Sequence, residues 1–138
     1  MPAEGGEETQ VTTKGGFVAF ESFDGKYLYY AQKNINSEIL RLPLSGGPEE
    51  SVDKDLSGIL WCMWKLTDKG IYFIKSDSSQ KGHIYFYGLS TRQTILIATT
   101  EKTIYAYSGI DVSPDGGSLV YTQVDRIESD IMLIQNFH

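Results

Sequence analysis

At 138 residues with 41% hydrophobic side chains, the chain has one domain's length and enough apolar content for a packed core. A net charge of −6, with lysine and arginine dispersed, excludes the basic footprint of a nucleic-acid binder, and no stretch approaches the length of a membrane span. The single cysteine, Cys62, excludes an intrachain disulfide and a cysteine-based zinc site, and within its apolar run it reads as a buried, inert thiol.

The opening MPAEGGEETQ carries neither the basic region nor the apolar run of a signal peptide, so the compartment, cytoplasmic or periplasmic, depends on the parent protein. Residues 7–12 are polar and acidic with one valine, the pattern of an outer edge strand. Residues 16–21, 27–31, 38–42 and 49–53 then read as four strands, named A to D from the inside outwards. Residues 59–65, 70–75, 83–87 and 93–99 read as a second set of four. Residues 109–112, 118–123 and 130–135 supply A, B and C of a third. The A–B links are tight Asp/Gly hairpin turns, and the B–C links at 32–37, 77–82 and 124–129 are longer and polar. The D–A links cover 54–58 and 101–107. Inner strands are apolar almost throughout, as strands buried on both faces are; the D strands are expected to be the most polar.

The chain repeats itself. Asp24-Gly25, Asp68-Lys69-Gly70 and Asp115-Gly116 mark equivalent turns 44 and 47 residues apart. A period of this size built from short strands predicts a β-propeller, one four-stranded antiparallel blade per repeat and three blades' worth per chain. The expected division is an outer strand of a shared blade at 1–13, blades at 14–57 and 58–107, and three inner strands of the shared blade at 108–138. The chain is therefore cut out of phase with its repeat. Three blades do not close into a ring, since propellers have typically about 4–8. A homodimer is expected, with residues 7–12 of one copy (Thr9, Val11) pairing with residues 130–135 of the other (Ile131, Leu133).

The segment DVSPDGGSLVYTQ, residues 111–123, resembles the core motif of TolB-like propellers, also called WD40-like or PD40 repeats. The family pattern of apolar strand, S-P-D-G, apolar strand and D-[IL]-x-[LV] is matched by Ser113-Pro114-Asp115-Gly116 and Asp130-Ile131-Met132-Leu133. The first repeat has Ser22-Phe23-Asp24-Gly25 without the proline, and the second, Leu66-Thr67-Asp68-Lys69-Gly70, keeps the Asp and shifts the Gly. The resemblance implies six blades for the assembled ring. It also implies a bacterial module that forms the last part of a larger sensory, regulatory or periplasmic chain. The motif residues are turn builders: Asp accepts backbone N–H groups and Gly supplies positive φ.

Chemistry is sparse. There is no G-x-S-x-G, no H-E-x-x-H and no clustered His/Cys ligand set, and the Gly-Gly pairs lead into strands, not helices. His83 reads as an exposed strand-end histidine. Asp125, Glu128 and Asp130 could offer oxygen ligands to Ca²⁺, but local pairing with Arg126 is the reading taken, so no metal or cofactor is expected. The expected function is a non-catalytic scaffold that binds a protein or peptide through loops at the channel mouth: Lys33, Asn34, Asn36, Asp55, Lys81, Tyr105, Tyr107, Asp125 and Arg126. The alternative is a propeller hydrolase or lyase acting on sugars or esters, with Glu21 and Asp111 at the ring centre.

Overall fold

The computed structural model describes residues 5–105 and 109–126. These form β1 (Ala19–Glu21), β2 (Tyr27–Ala31), β3 (Ser37–Pro43), β4 (Glu50–Ser51), a 3-10 turn (Lys54–Leu56), β5 (Ser57–Ile59), β6 (Trp64–Leu66), β7 (Gly70–Ser76), β8 (Lys81–Gly88), β9 (Thr94–Thr103), β10 (Ile110–Val112) and β11 (Leu119–Tyr121). The architecture is all-β and antiparallel. One sheet runs β1-β2-β3-β4 with β5 also paired to β3, a second runs β6-β7-β8-β9, and β10-β11 is a hairpin.

The Asp/Gly turns set these registers. In the first, Ser22 Oγ donates to Asp24 Oδ1 at 2.7 Å and accepts from the amides of Lys26 at 3.1 Å and Tyr27 at 2.9 Å. The third repeats this: Ser113 Oγ donates to Asp115 Oδ1 at 2.5 Å, and the Ser118 amide donates to Ser113 Oγ at 2.9 Å. Gly25 and Gly116 hold φ of 68° and 70°, the left-handed conformation that favours glycine. The middle turn is built otherwise. Thr67 and Gly70 close it directly, the Thr67 amide donating to Gly70 O at 2.8 Å. The Thr67 hydroxyl, not Asp68, makes the side-chain bonds, to Gly70 O at 2.9 Å and from the Gly70 amide at 3.2 Å. This turn has two residues between its closing pair, where the others have four.

One apolar core joins the two larger sheets. Tyr29, Ala31 and Ile39 of the first share it with Trp64, Leu66, Ile71, Phe73 and Ile84 of the second, and with Leu56 and Ile59 from the connection. Trp64 is 1% exposed and meets the edge of Phe20, ring centroids 4.9 Å apart at 90°. Its Nε1 donates to Trp61 O at 3.1 Å. Polar stitches run beside this core: Tyr87 Oη donates to Asp53 Oδ2 at 3.2 Å, Thr94 Oγ1 to Asp55 Oδ2 at 2.8 Å, and Lys75 Nζ to Asp55 O at 2.8 Å.

Several expectations change. Residues 59–65 do not form one strand. A turn in which the Met63 amide donates to Leu60 O at 3.0 Å splits the run into β5 and β6, and β5 pairs back with β3. Lys81 lies at the start of β8 opposite Thr103, not on the loop before it, and β9 extends to Thr103 through part of the expected link. The outer strand β9 is not polar: Ile95, Leu96 and Ile97 are 56%, 56% and 48% exposed. A register shift pairs Ile84 with Ala98 and Tyr85 with Leu96, so Ile97 has no opposite residue and strict in–out alternation is broken there. Residues 7–12 form no strand in the single chain, and residues 130–135, with Ile131 and Leu133, lie outside the described residues.

Candidate functional site

The B–C connections are tied by backbone bonds to segments that join successive repeats. In the first repeat the Trp61 amide donates to Asn34 O at 3.2 Å; in the second the Ile104 amide donates to Gln80 O at 3.0 Å. At the third, the Val124 amide donates to Thr103 O at 2.9 Å, and Lys102 Nζ meets Asp125 Oδ1 at 2.6 Å. That lysine holds the Asp125 carboxyl below its ordinary range.

The first junction is concave. A polar recess of about 290 Å³ is lined by Gln32, Lys33, Asn36, Glu38, Ser57 and Gly58. Its shape depends on two left-handed residues, Asn36 at φ 51° and Gly58 at φ 73°. They are close enough that a Cβ on Gly58 would lie 3.5 Å from Asn36 Oδ1. The buried Ser37 fixes the loop from below, its hydroxyl accepting the Lys33 amide at 3.1 Å and donating to Glu38 O at 2.9 Å. The recess offers amides, one ammonium and one carboxylate, a set suited to a peptide backbone or a hydroxylated ligand. Of the residues named from the sequence, Lys33 and Asn36 line the recess and Asn34 does not; Glu38 and Ser57 were missed because their inclusion depends on β5 pairing with β3, and Gln32 is the loop residue before Lys33.

The second junction is stiffened by Asp77. Its Oδ1 accepts from the Ser79 amide at 2.8 Å, the Ser79 hydroxyl at 2.6 Å and the Lys81 amide at 3.1 Å. Its Oδ2 lies 3.0 Å from His83 Nε2, and His83 Nδ1 lies 3.1 Å from Thr99 Oγ1. The Ser79 hydroxyl, then His83, hold the Asp77 carboxyl well below its ordinary range. His83 is thus tied at both nitrogens, not a loose strand end. The order carboxylate, imidazole, hydroxyl is that of an activated nucleophile. Asp77-x-Ser79 ahead of His83 is the signal that reveals it, an Asx turn aimed at the next strand.

The remaining predicted residues are dispersed. Asp55 lines a cleft of about 210 Å³ with Phe73, Lys75, Tyr85 and Thr94, between the 3-10 turn and the second sheet. Burial pushes the Lys75 ammonium down, partly offset by Asp55. This cleft was missed because it needs a lysine on the face that Ile71 and Phe73 otherwise make apolar. Tyr105 is 45% exposed and Arg126 is exposed, while Tyr107 lies outside the described residues. Thr9 is exposed, and Val11 lines a shallow cleft of about 360 Å³ with Leu42, Pro48 and Glu49, beside its own sheet. Glu21 is exposed on β1. Asp111 on β10 is bonded to Lys65 Nζ at 3.0 Å, which lowers its pKa. Among the described residues no group of three or more His, Cys, Asp or Glu could hold a metal ion, and no helix is long and apolar enough to cross a membrane. Comparison with known proteins finds no family model that matches the chain and no match among curated proteins.

Proposed function

We propose that the chain is a non-catalytic binding scaffold, part of a TolB-like β-propeller, that presents its B–C and D–A junctions to a protein or peptide. The observation that carries this reading is the repeated junction itself. In two successive repeats a B–C loop is tied by one backbone bond to the chain that leads into the next repeat, Asn34 to Trp61 and Gln80 to Ile104. Loops so fixed, with a polar recess at the first of them, form a prepared surface on a sheet scaffold. The ring is completed by a second copy, which supplies the missing blades and covers the two end faces.

Thermal-shift screening against peptides, saccharides and divalent ions tests the ligand class. Peptide stabilisation that is lost in Lys33→Glu and Asn36→Ala supports the scaffold. Hydrolysis of an activated ester that is lost in His83→Ala would overturn it in favour of the enzyme reading, which rests on the Asp77–His83–Thr99 line. Light scattering tests the ring: a mass that stays at 15.4 kDa refutes it, and deletion of residues 1–13 should abolish it.

A further inference from the structure

We propose that the cleft between the 3-10 turn and the second sheet is a covalent ligand site, in which the Lys75 amine captures a small neutral aromatic aldehyde as an imine. The cleft shares no lining residue with the recess at the first junction, so this site stands apart from the scaffold reading. Four lysines of the chain end on carboxylates: Lys14 on Glu49, Lys26 on Asp24, Lys65 on Asp111 and Lys102 on Asp125. Lys75 does not. Its one hydrogen bond among the described residues goes to the main-chain oxygen of Asp55 at 2.8 Å, and the Asp55 carboxylate is instead taken by Thr94 Oγ1 at 2.8 Å. On its other side the amine sits over the Phe73 ring, 5.6 Å from the centroid, and Phe73 is buried and stacked on Tyr85 at 5.2 Å. An amine half-buried against aromatic rings is a better nucleophile than one in water, because burial disfavours its charged form. That burial holds the Lys75 ammonium below its ordinary range, against the pull of Asp55.

The walls select the ligand. At about 210 Å³ the cleft is below the roughly 300 Å³ of a drug-sized site and takes a single ring. Phe73 and the half-buried Tyr85 give that ring an aromatic surface to pack on. The Asp55 carboxylate disfavours an anion, so a neutral carbonyl compound fits better than a carboxylated one. Capture needs no oxidant or reductant. The lone pair of unprotonated Lys75 Nζ adds to the carbonyl carbon, and the π pair moves to oxygen. Nζ then gives up both protons, through solvent, to that oxygen; the C–O bond breaks, water leaves and the imine remains. The titratable groups around Nζ are Asp55 on the turn, and His83 and Tyr85 on β8, with Asp77 bound to His83. His83 is the residue opposite Lys75 in the β7–β8 ladder.

The test is trapping on the folded full chain: benzaldehyde with cyanoborohydride, then peptide mapping by mass spectrometry, with circular dichroism confirming the fold of each variant. Lys75 should gain the reduced adduct several-fold faster than the exposed lysines Lys33, Lys54, Lys69 and Lys81, and its rate should saturate as aldehyde rises while theirs stay proportional. Lys75→Arg should abolish the saturable component. Carboxybenzaldehyde should label Lys75 several-fold more slowly than benzaldehyde. Asp55→Asn keeps the main-chain oxygen and an acceptor for Thr94. Removing its charge should move half-maximal labelling of Lys75 to lower pH and narrow the preference for the neutral aldehyde. A Lys75 no faster than the exposed lysines, or a rate that never saturates, overturns the site. Equal rates with the two aldehydes overturn the ligand class, and an unchanged pH profile in Asp55→Asn overturns the electrostatic role of Asp55.

Discussion

Adding one methyl group at Gly70, Gly82 and Gly116 separates three physical effects that the fold combines. A Cβ on Gly70 would lie 2.2 Å from Tyr87 O and 2.6 Å from the Phe86 ring. Ordinary contact begins near 3.4 Å, so β7 and β8 must part by about 1 Å at a point where one obstacle is backbone and cannot rotate away. Overpacking plus one or two strained ladder bonds puts the cost at about 3–4 kcal/mol. At Gly82 the new methyl meets side-chain tips only, Ile104 Cδ1 at 2.8 Å and Ile74 Cγ2 and Thr100 Cγ2 at 3.1 Å. These rotate or shift slightly, so the cost falls to about 1–2 kcal/mol. At Gly116 nothing lies within 4 Å and the whole cost is the φ of 70°, about 1–2 kcal/mol. Urea unfolding followed by tryptophan fluorescence gives the three values. With a slope of about 1.5 kcal/mol/M, Gly70→Ala should lower the midpoint by about 2 M and the other two by about 1 M. A Gly70→Ala protein within about 1 kcal/mol of Gly116→Ala would refute the Gly70–Gly88 register of the β7–β8 ladder.

Trp64→Ala should cost about 3–5 kcal/mol, enough to unfold a domain of ordinary stability, and Trp64→Phe much less, since it keeps the contact with Phe20; equal effects in a melt would deny Trp64 its place between the sheets. Thr67→Val removes both hydroxyl bonds at the middle turn while keeping its shape and should lose about 1 kcal/mol, whereas Thr67→Ser should lose little; a Val variant as stable as the Ser one would return the turn to Asp68. Acid should destabilise the fold through Asp24, Asp77 and Asp115, whose carboxyls are held low chiefly by the hydroxyls of Ser22, Ser79 and Ser113. Their folded pKa lies below the unfolded value, so the stabilisation is complete above the usual carboxylate range and disappears as pH falls through the folded values. Asp77→Asn should lower the melting temperature at pH 7 and flatten its fall toward pH 2; an unchanged acid slope would deny the His83 clasp a role in stability.

The strands that read best from the sequence were those whose apolar pattern and flanking turns agree. β2 starts and ends where its pattern does, and β3, β7 and β8 differ only at their ends. The split of residues 59–65 had no local cue, because Leu60, Trp61, Cys62 and Met63 contain no glycine or proline and the turn depends on Met63 and Trp64 entering a core shared with the other sheet. The apolar run of β9 is visible in the sequence, but its exposure depends on β9 ending the strand order of the second sheet, which local pattern does not show. The site divided in the same way. Lys33 and Asn36 were legible because loop polarity is local, whereas Glu38 and Ser57 join them only through pairing between β3 and β5. Tying of His83 by Asp77 and Thr99 needed the hairpin and the outer strand together.

The two lengths of the Asp/Gly turn bear on how this chain can be edited. Side chains alternate across a strand with a period of two. Removing two residues, as the middle turn has done relative to its neighbours, leaves every inward side chain inward; removing one would reverse the whole of β7 and expose Ile71 and Phe73. The turn between Thr67 and Gly70 therefore has a parity rule for short edits. Loss or gain of a single residue in this tight turn should disturb the second sheet more than a change of two, whereas a long flexible insert beside Asp68, free of that parity, should be carried at a modest closure cost.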